Sequence, residues 1–424
     1  MNKKPQFYTL IIFLIMVAGA AMSSAAATDT MTGIFDDRFR SLSVSLSQSQ
    51  LGYPPILQLY GDDVLEIEFD ELAEDRSYLR YSVTHCNADW QPSGLVDSEI
   101  LDGFNRGDIE DYEYSRMPYT HYVHYRIYLP NQHFRFKVSG NYLLRVYRDD
   151  DPDTTLLQAR FMVDEAAADV TGEILFATDR DYRDRHQQLA LQVDVTDAKV
   201  RDPFNDLIVK VSQNGRIDNE VTLNHPLRAI GDKAIYEHDA KLIFPGGNNY
   251  RRFEIISTTV PTSGVEFVEF NDPYYHATLL PDLQRADQSY VYDLNLHGNY
   301  VIRERESDQS DIDADYIVTH FALDIPRIPG KTIFIDSDMT SRRFSPESMM
   351  VWNEATQRYE RTMLLKQGAY SYQYLVMGPG DRVATTAEIE GDNYQTRNVY
   401  LVKVYYRRPS ERYDRLLGYT LLTF

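Results

Sequence analysis

Val64-Leu65-Glu66-Ile67-Glu68-Phe69 alternates apolar and acidic side chains, so Leu65, Ile67 and Phe69 share one face of an extended chain and Glu66 and Glu68 take the other. A helix would scatter these residues around its axis. Upstream, Ser41-Leu42-Ser43-Val44-Ser45-Leu46-Ser47 repeats the same two-residue period. Downstream, residues 78–83 and 142–147 continue it, and residues 122–129 and 134–138 read as strands paired around Pro130-Asn131. Short strands at this spacing, punctuated by turn residues, predict a β-sandwich.

The style persists to the end of the chain. Residues 189–195, 207–211, 240–244, 253–258, 265–270 and 290–295 read as strands, with Pro245-Gly246-Gly247-Asn248-Asn249 as a firm turn. Residues 303–315 are dense in charge and lack an apolar period, which reads as a loop or flexible segment. Strands resume over 316–323, 332–335, 349–352, 361–365, 370–377, 399–406 and 416–424. No long amphipathic helix and no short-period repeat interrupts them. The predicted class is all-β, with tandem immunoglobulin-like β-sandwich domains at 38–165, 168–312 and 313–424 after a flexible stretch at 28–37. Ala166-Ala167-Ala168-Asp169 marks the first linker and the charged run the second.

Residues 1–27 stand apart. Lys3 and Lys4 precede the apolar run Leu10-Ile11-Ile12-Phe13-Leu14-Ile15-Met16-Val17, and Ala25-Ala26-Ala27 supplies the small residues a signal peptidase reads. The expectation is a cleaved signal peptide and an exported chain with no membrane span after cleavage. A formal charge of −21 opposes nucleic-acid binding. Cys86 is the only cysteine, so no internal disulfide and no cysteine cluster for zinc or iron–sulfur can form. The 32 tyrosines suit half-buried strands and contacts with other proteins.

The patterns that could carry chemistry are weak. His85-Cys86 are strand neighbours on opposite faces, which does not bring imidazole to sulfur. His121 and His124, three apart at a strand entrance, also diverge and make no metal pair. The carboxylates of Asp149-Asp150-Asp151 and of Asp179-Arg180-Asp181-Tyr182-Arg183-Asp184 lack the regular calcium loop and read as surface turns. Gly378-Pro379-Gly380 lacks the lysine and hydroxyl of a phosphate loop. Tyr370, Tyr372 and Tyr374 share a strand face near Met350 and Trp352; exposed, they would offer a sugar-stacking platform, and otherwise they are core. The expectation is no catalytic, cofactor-binding or metal-binding residue and no enzyme activity.

Four motifs carry a resemblance. His85-Cys86-Asn87-Ala88-Asp89-Trp90, Ser139-Gly140-Asn141-Tyr142-Leu143-Leu144, Gly391-Asp392-Asn393-Tyr394-Gln395-Thr396-Arg397-Asn398 and Arg412-Tyr413-Asp414-Arg415-Leu416-Leu417-Gly418-Tyr419 look like those of the type IX secretion system plug protein family, in consistent order along the chain. The resemblance implies a periplasmic subunit that reversibly closes the large outer-membrane translocon barrel, its partner, from the periplasmic side. It transfers no individual partner-binding residue. An assembly or substrate-transfer accessory and a carbohydrate-binding sandwich are the alternatives.

Overall fold

A computed structural model describes residues 29–47 and 52–424; the expected signal peptide at 1–27 lies outside the described residues. The strands form paired sheets around three hydrophobic cores, and the only α-helices among the described residues are the four-residue Asp97–Ile100 and Ser310–Asp313. The all-β class stands.

In the first sandwich, Phe39–Leu46, Leu65–Glu71, Val123–Leu129 and Asp111–Tyr114 make one antiparallel sheet. Alternation does what it should: Leu65, Ile67 and Phe69 are fully buried. Leu42, Val44 and Leu46 pack against the same core at its margin. The facing sheet contains Leu79–Cys86, Gly140–Arg148 and Leu157–Asp164. Residues 134–138 do not form a hairpin with 122–129. Phe134–Phe136 pairs instead with Leu101–Gly103, which lets Phe134 and Phe136 enter the core.

The stretch expected to be flexible is docked. Gly33–Ile34 pairs with Leu157 and Gln158, the Gln158 amide donates to the carbonyls of Asp29 and Met31, and Arg160 Nε donates to the Thr30 carbonyl at 2.6 Å. Few apolar residues mark this segment in the sequence; strand pairing and the side chains of Gln158 and Arg160 hold it.

The second and third sandwiches do not meet at residue 312. Asp169–Leu175, His186–Asp194 and Lys233–Tyr236 form one sheet of the second sandwich. The other joins Leu207–Gln213 to Val399–Tyr406 and Arg415–Thr423, so the last strands of the chain complete a core begun some two hundred residues earlier. The third sandwich lies between them: Arg251–Glu254 pairs with Gly368–Met377, and Tyr316–Asp324 pairs with Arg358–Lys366. Phe253 and Phe321 share its core across the expected 312/313 break. Charge suggested a linker at 303–315, but Asp313 and Asp315 of that run are buried and bonded to Arg116, Tyr119 and Thr120 of the first sandwich. Two strand expectations also shift: Ala240–Leu242 is a 3-10 turn, and residues 290–295 carry no ladder.

Candidate functional site at the domain junctions

The sequence motifs converge where sandwiches meet. Cys86, Ala88, Trp90, Ile56, Leu143 and Met162 of the first sandwich bury an apolar patch against Tyr405 and Leu416 of the second. Polar contacts fix its register. Tyr405 OH donates to Asn141 Oδ1 at 2.8 Å, and Asn141 Nδ2 donates to the Asn87 carbonyl at 2.9 Å. Asp414 accepts from the Ala88 amide at 3.0 Å, while its own amide donates to Asn87 Oδ1 at 3.2 Å. Arg415 pairs with Glu165 at the end of the first sandwich. Gly140, at φ +132°, is obligatory here: a Cβ would come within 2.5 Å of His85 Nε2.

His85 and Cys86 therefore have structural work. The imidazole bonds Ser93 Oγ at 2.8 Å and the Ser139 carbonyl at 3.0 Å, and burial lowers its basicity. Burial pushes the Cys86 thiol up to about 12, which removes the thiolate at neutral pH.

A second junction joins the second and third sandwiches where the chain leaves at Gly246-Gly247 and returns at 391–398. The Asn393 amide donates to the Gly247 carbonyl at 2.8 Å, and Asp392 Oδ1 accepts from the Gly247 amide at 3.0 Å. Asn398 Nδ2 reaches the Gly246 carbonyl at 2.8 Å and Gln187 Oε1 at 3.0 Å. The backbones approach closely enough that a Cβ on Gly246 would lie 2.2 Å from the Asn393 carbonyl oxygen. Next to it, buried Glu390 takes the guanidinium groups of Arg251 and Arg285.

The third junction, between the first and third sandwiches, escaped the sequence reading. Asp70 is buried and ionised: burial opposes its charge, but Lys366 and His124 hold its carboxyl below the usual range. Lys366 Nζ and Tyr316 OH both reach Asp70 Oδ2 at 2.6 Å, and His124 Nδ1 meets Oδ1 at 2.7 Å. An ionised carboxylate only accepts, so Nδ1 carries the proton. Burial alone would lower the His124 imidazole; the carboxylates of Asp70 and Glu68 outweigh it and hold it up to about 9. Tyr122 OH donates to the Ala314 carbonyl at 2.9 Å, and Arg116 clamps Asp313. The charged run 303–315 is thus anchored rather than free. Its partners lie far away in sequence, so no spacing could have revealed them.

Other candidates resolve locally. His121 is exposed beside Glu74, away from buried His124. Asp179 accepts from Gln188 of the adjoining strand and meets His238, and Asp181 accepts from Thr178 in its own turn. Asp149 pairs with Arg80 and Arg106. The Gly378 amide donates to Asp381 in its turn. Tyr370, Tyr372 and Tyr374 are buried, and the last two donate to Asp282 Oδ2 at 2.6 and 2.8 Å. This corrects the sugar-platform alternative: those rings face the core.

Fold and junctions define a multidomain β protein whose sandwiches are locked together by buried contacts. Residues 39–165 match the family described as Type 9 secretion system plug protein 1st domain. A crystal structure of a hypothetical protein from Parabacteroides merdae is 35% identical, with a TM-score of 0.92 over 94% of this chain and 100% of that chain. The chain belongs to the type IX secretion system plug protein family. Two weaker likenesses carry no argument. An alkylpurine DNA glycosylase from Pseudomonas fluorescens is 12% identical over 30% of each chain, and a Salmonella alpha-2-macroglobulin is 9% identical over 93% of this chain and 24% of its own; each has a TM-score of 0.18. No curated protein matches. Among the described residues, no helix is long and apolar enough to cross a membrane.

Proposed function

We propose that this protein is a non-enzymatic plug that sits in the periplasm and reversibly closes the periplasmic opening of the type IX outer-membrane translocon. The family match over residues 39–165 is the observation that carries this reading. The junctions support it mechanically. A pore closure must resist deformation while bound and leave as one piece, and three sandwiches joined through buried ion pairs and packed motifs suit that demand. Because Cys86 is buried and is the one cysteine of the chain, no disulfide tethers it to the barrel. A specific contact of this kind needs an area above about 1,000 Å².

Affinity isolation of the intact outer-membrane complex, followed by structure determination, tests the assignment. Density for this chain across the periplasmic mouth of the barrel is the expected result. Stable binding only to cargo or to an assembly intermediate would favour the accessory role instead.

A further inference from the structure

At the edge of the first–third junction, three ligand-bearing side chains from distant parts of the chain converge. Glu68 comes from Leu65–Glu71, His124 from the neighbouring Val123–Leu129, and Asp311 from Ser310–Asp313 of the third sandwich. One carboxylate oxygen from each acid and one imidazole nitrogen lie within 4.8 Å of one another. The imidazole is oriented before any ligand arrives. Nδ1 donates to Asp70, which Lys366 and Tyr316 hold in turn, and this is the carboxylate–histidine relay that fixes the outer nitrogen of metal-binding imidazoles. The outer nitrogen, Nε2, has no hydrogen-bond partner although the His124 side chain is only 5% exposed. It faces Glu68 Oε1 at 3.4 Å, an ion-pair separation without hydrogen-bond geometry. That separation is close to the edge of a tetrahedron whose ligands stand about 2.0–2.2 Å from a central zinc ion.

We propose that Glu68, His124 and Asp311 bind a transition-metal dication that clasps the first sandwich to the third. An imidazole with two carboxylates suits zinc or a neighbouring first-row dication, whereas calcium and magnesium prefer all-oxygen shells. Three protein ligands leave the fourth position to water. Asp311 is exposed and Glu68 half-buried, so the ion enters from solvent and Asp311 rotates in to close the set. Coordination replaces the proton on Nε2, which leaves to solvent. Arg126 competes for Glu68, with Nε 3.5 Å from Oε1, but its 2.7 Å pairing with Glu113 gives it another partner when the ion takes Glu68.

The test is zinc chloride titrated into the full mature chain by calorimetry in a non-chelating buffer, with thermal unfolding in parallel. The wild-type chain is expected to show one saturable site and a zinc-dependent rise in unfolding temperature. Asp311→Asn, an exposed change that leaves the fold intact, is expected to weaken binding at least tenfold and abolish the rise; Glu68→Gln should do the same. His124→Gln is expected to match them if it folds, and the other two variants decide the matter if it does not. Calcium chloride should give no comparable binding. Absence of saturable zinc binding would overturn the proposal. So would binding unchanged in Asp311→Asn, the result expected if zinc goes instead to the stacked His276–His320 pair, whose ring nitrogens lie 2.9 Å apart.

Discussion

Lys366 of the third sandwich places its ammonium 2.6 Å from the Asp70 carboxylate of the first, with both side chains 1% exposed. Neither charge can find water if the other is removed. Lys366→Met or Asp70→Asn is therefore expected to cost about 3–5 kcal/mol, the range for an orphaned buried charge or its partners. Because each single change already breaks the pair, the double variant should cost clearly less than the sum of the two. Urea unfolding of the four proteins measures this coupling.

Cys86 is fully buried beside Trp90 and Tyr405, and burial pushes its thiol up to about 12. Native protein should resist a chromogenic disulfide reagent at pH 8, and labelling should proceed at the rate of unfolding. Rapid labelling of native protein would place the thiol elsewhere.

Asp164 carries a buried Oδ1 without a partner, and burial raises its carboxyl to about 6 against an ordinary 3.8. A raised carboxyl binds its proton more tightly in the folded state. Its ionisation therefore works against folding above pH 6, and that penalty disappears as the pH falls from 6 towards 4. Asp164→Asn should stabilise the protein at pH 8 by up to about 3 kcal/mol and have little effect near pH 4. Denaturant unfolding of both proteins at the two pH values checks the sign.

Tandem domains would let the chain end at residue 398 without harm to residues 169–245. The observed sheet says otherwise, since Leu207–Gln213 loses its partner Val399–Tyr406. Deleting 399–424 is expected to leave the segment 169–245 sensitive to protease while the first sandwich, with its own core, survives as a resistant fragment. Gly246→Ala should loosen the adjacent crossing, because the added carbon meets the Asn393 carbonyl.

What the sequence discloses and hides follows from range. Alternation in Leu65, Ile67 and Phe69 is a local signal, and it places their side chains correctly in the core. The pairing of Leu207–Gln213 with Val399–Tyr406 is not local, and neither strand names its partner. Asp313 looks like a solvent-facing charge until the first and third sandwiches close around it and Arg116 clamps it. The motif residues are conspicuous in the sequence, but only the structure brings His85, Gly140 and Asp414 to one junction.

The central claim is closure, and outer-membrane permeability tests it most directly. Uptake of a large, normally excluded dye or antibiotic should be compared in cells with and without this protein, each with the translocon barrel present or deleted. Loss of the protein is expected to raise uptake when the barrel is present and to leave it unchanged when the barrel is absent. Equal uptake with and without this protein in barrel-containing cells, or an increase that persists without the barrel, would contradict the plug.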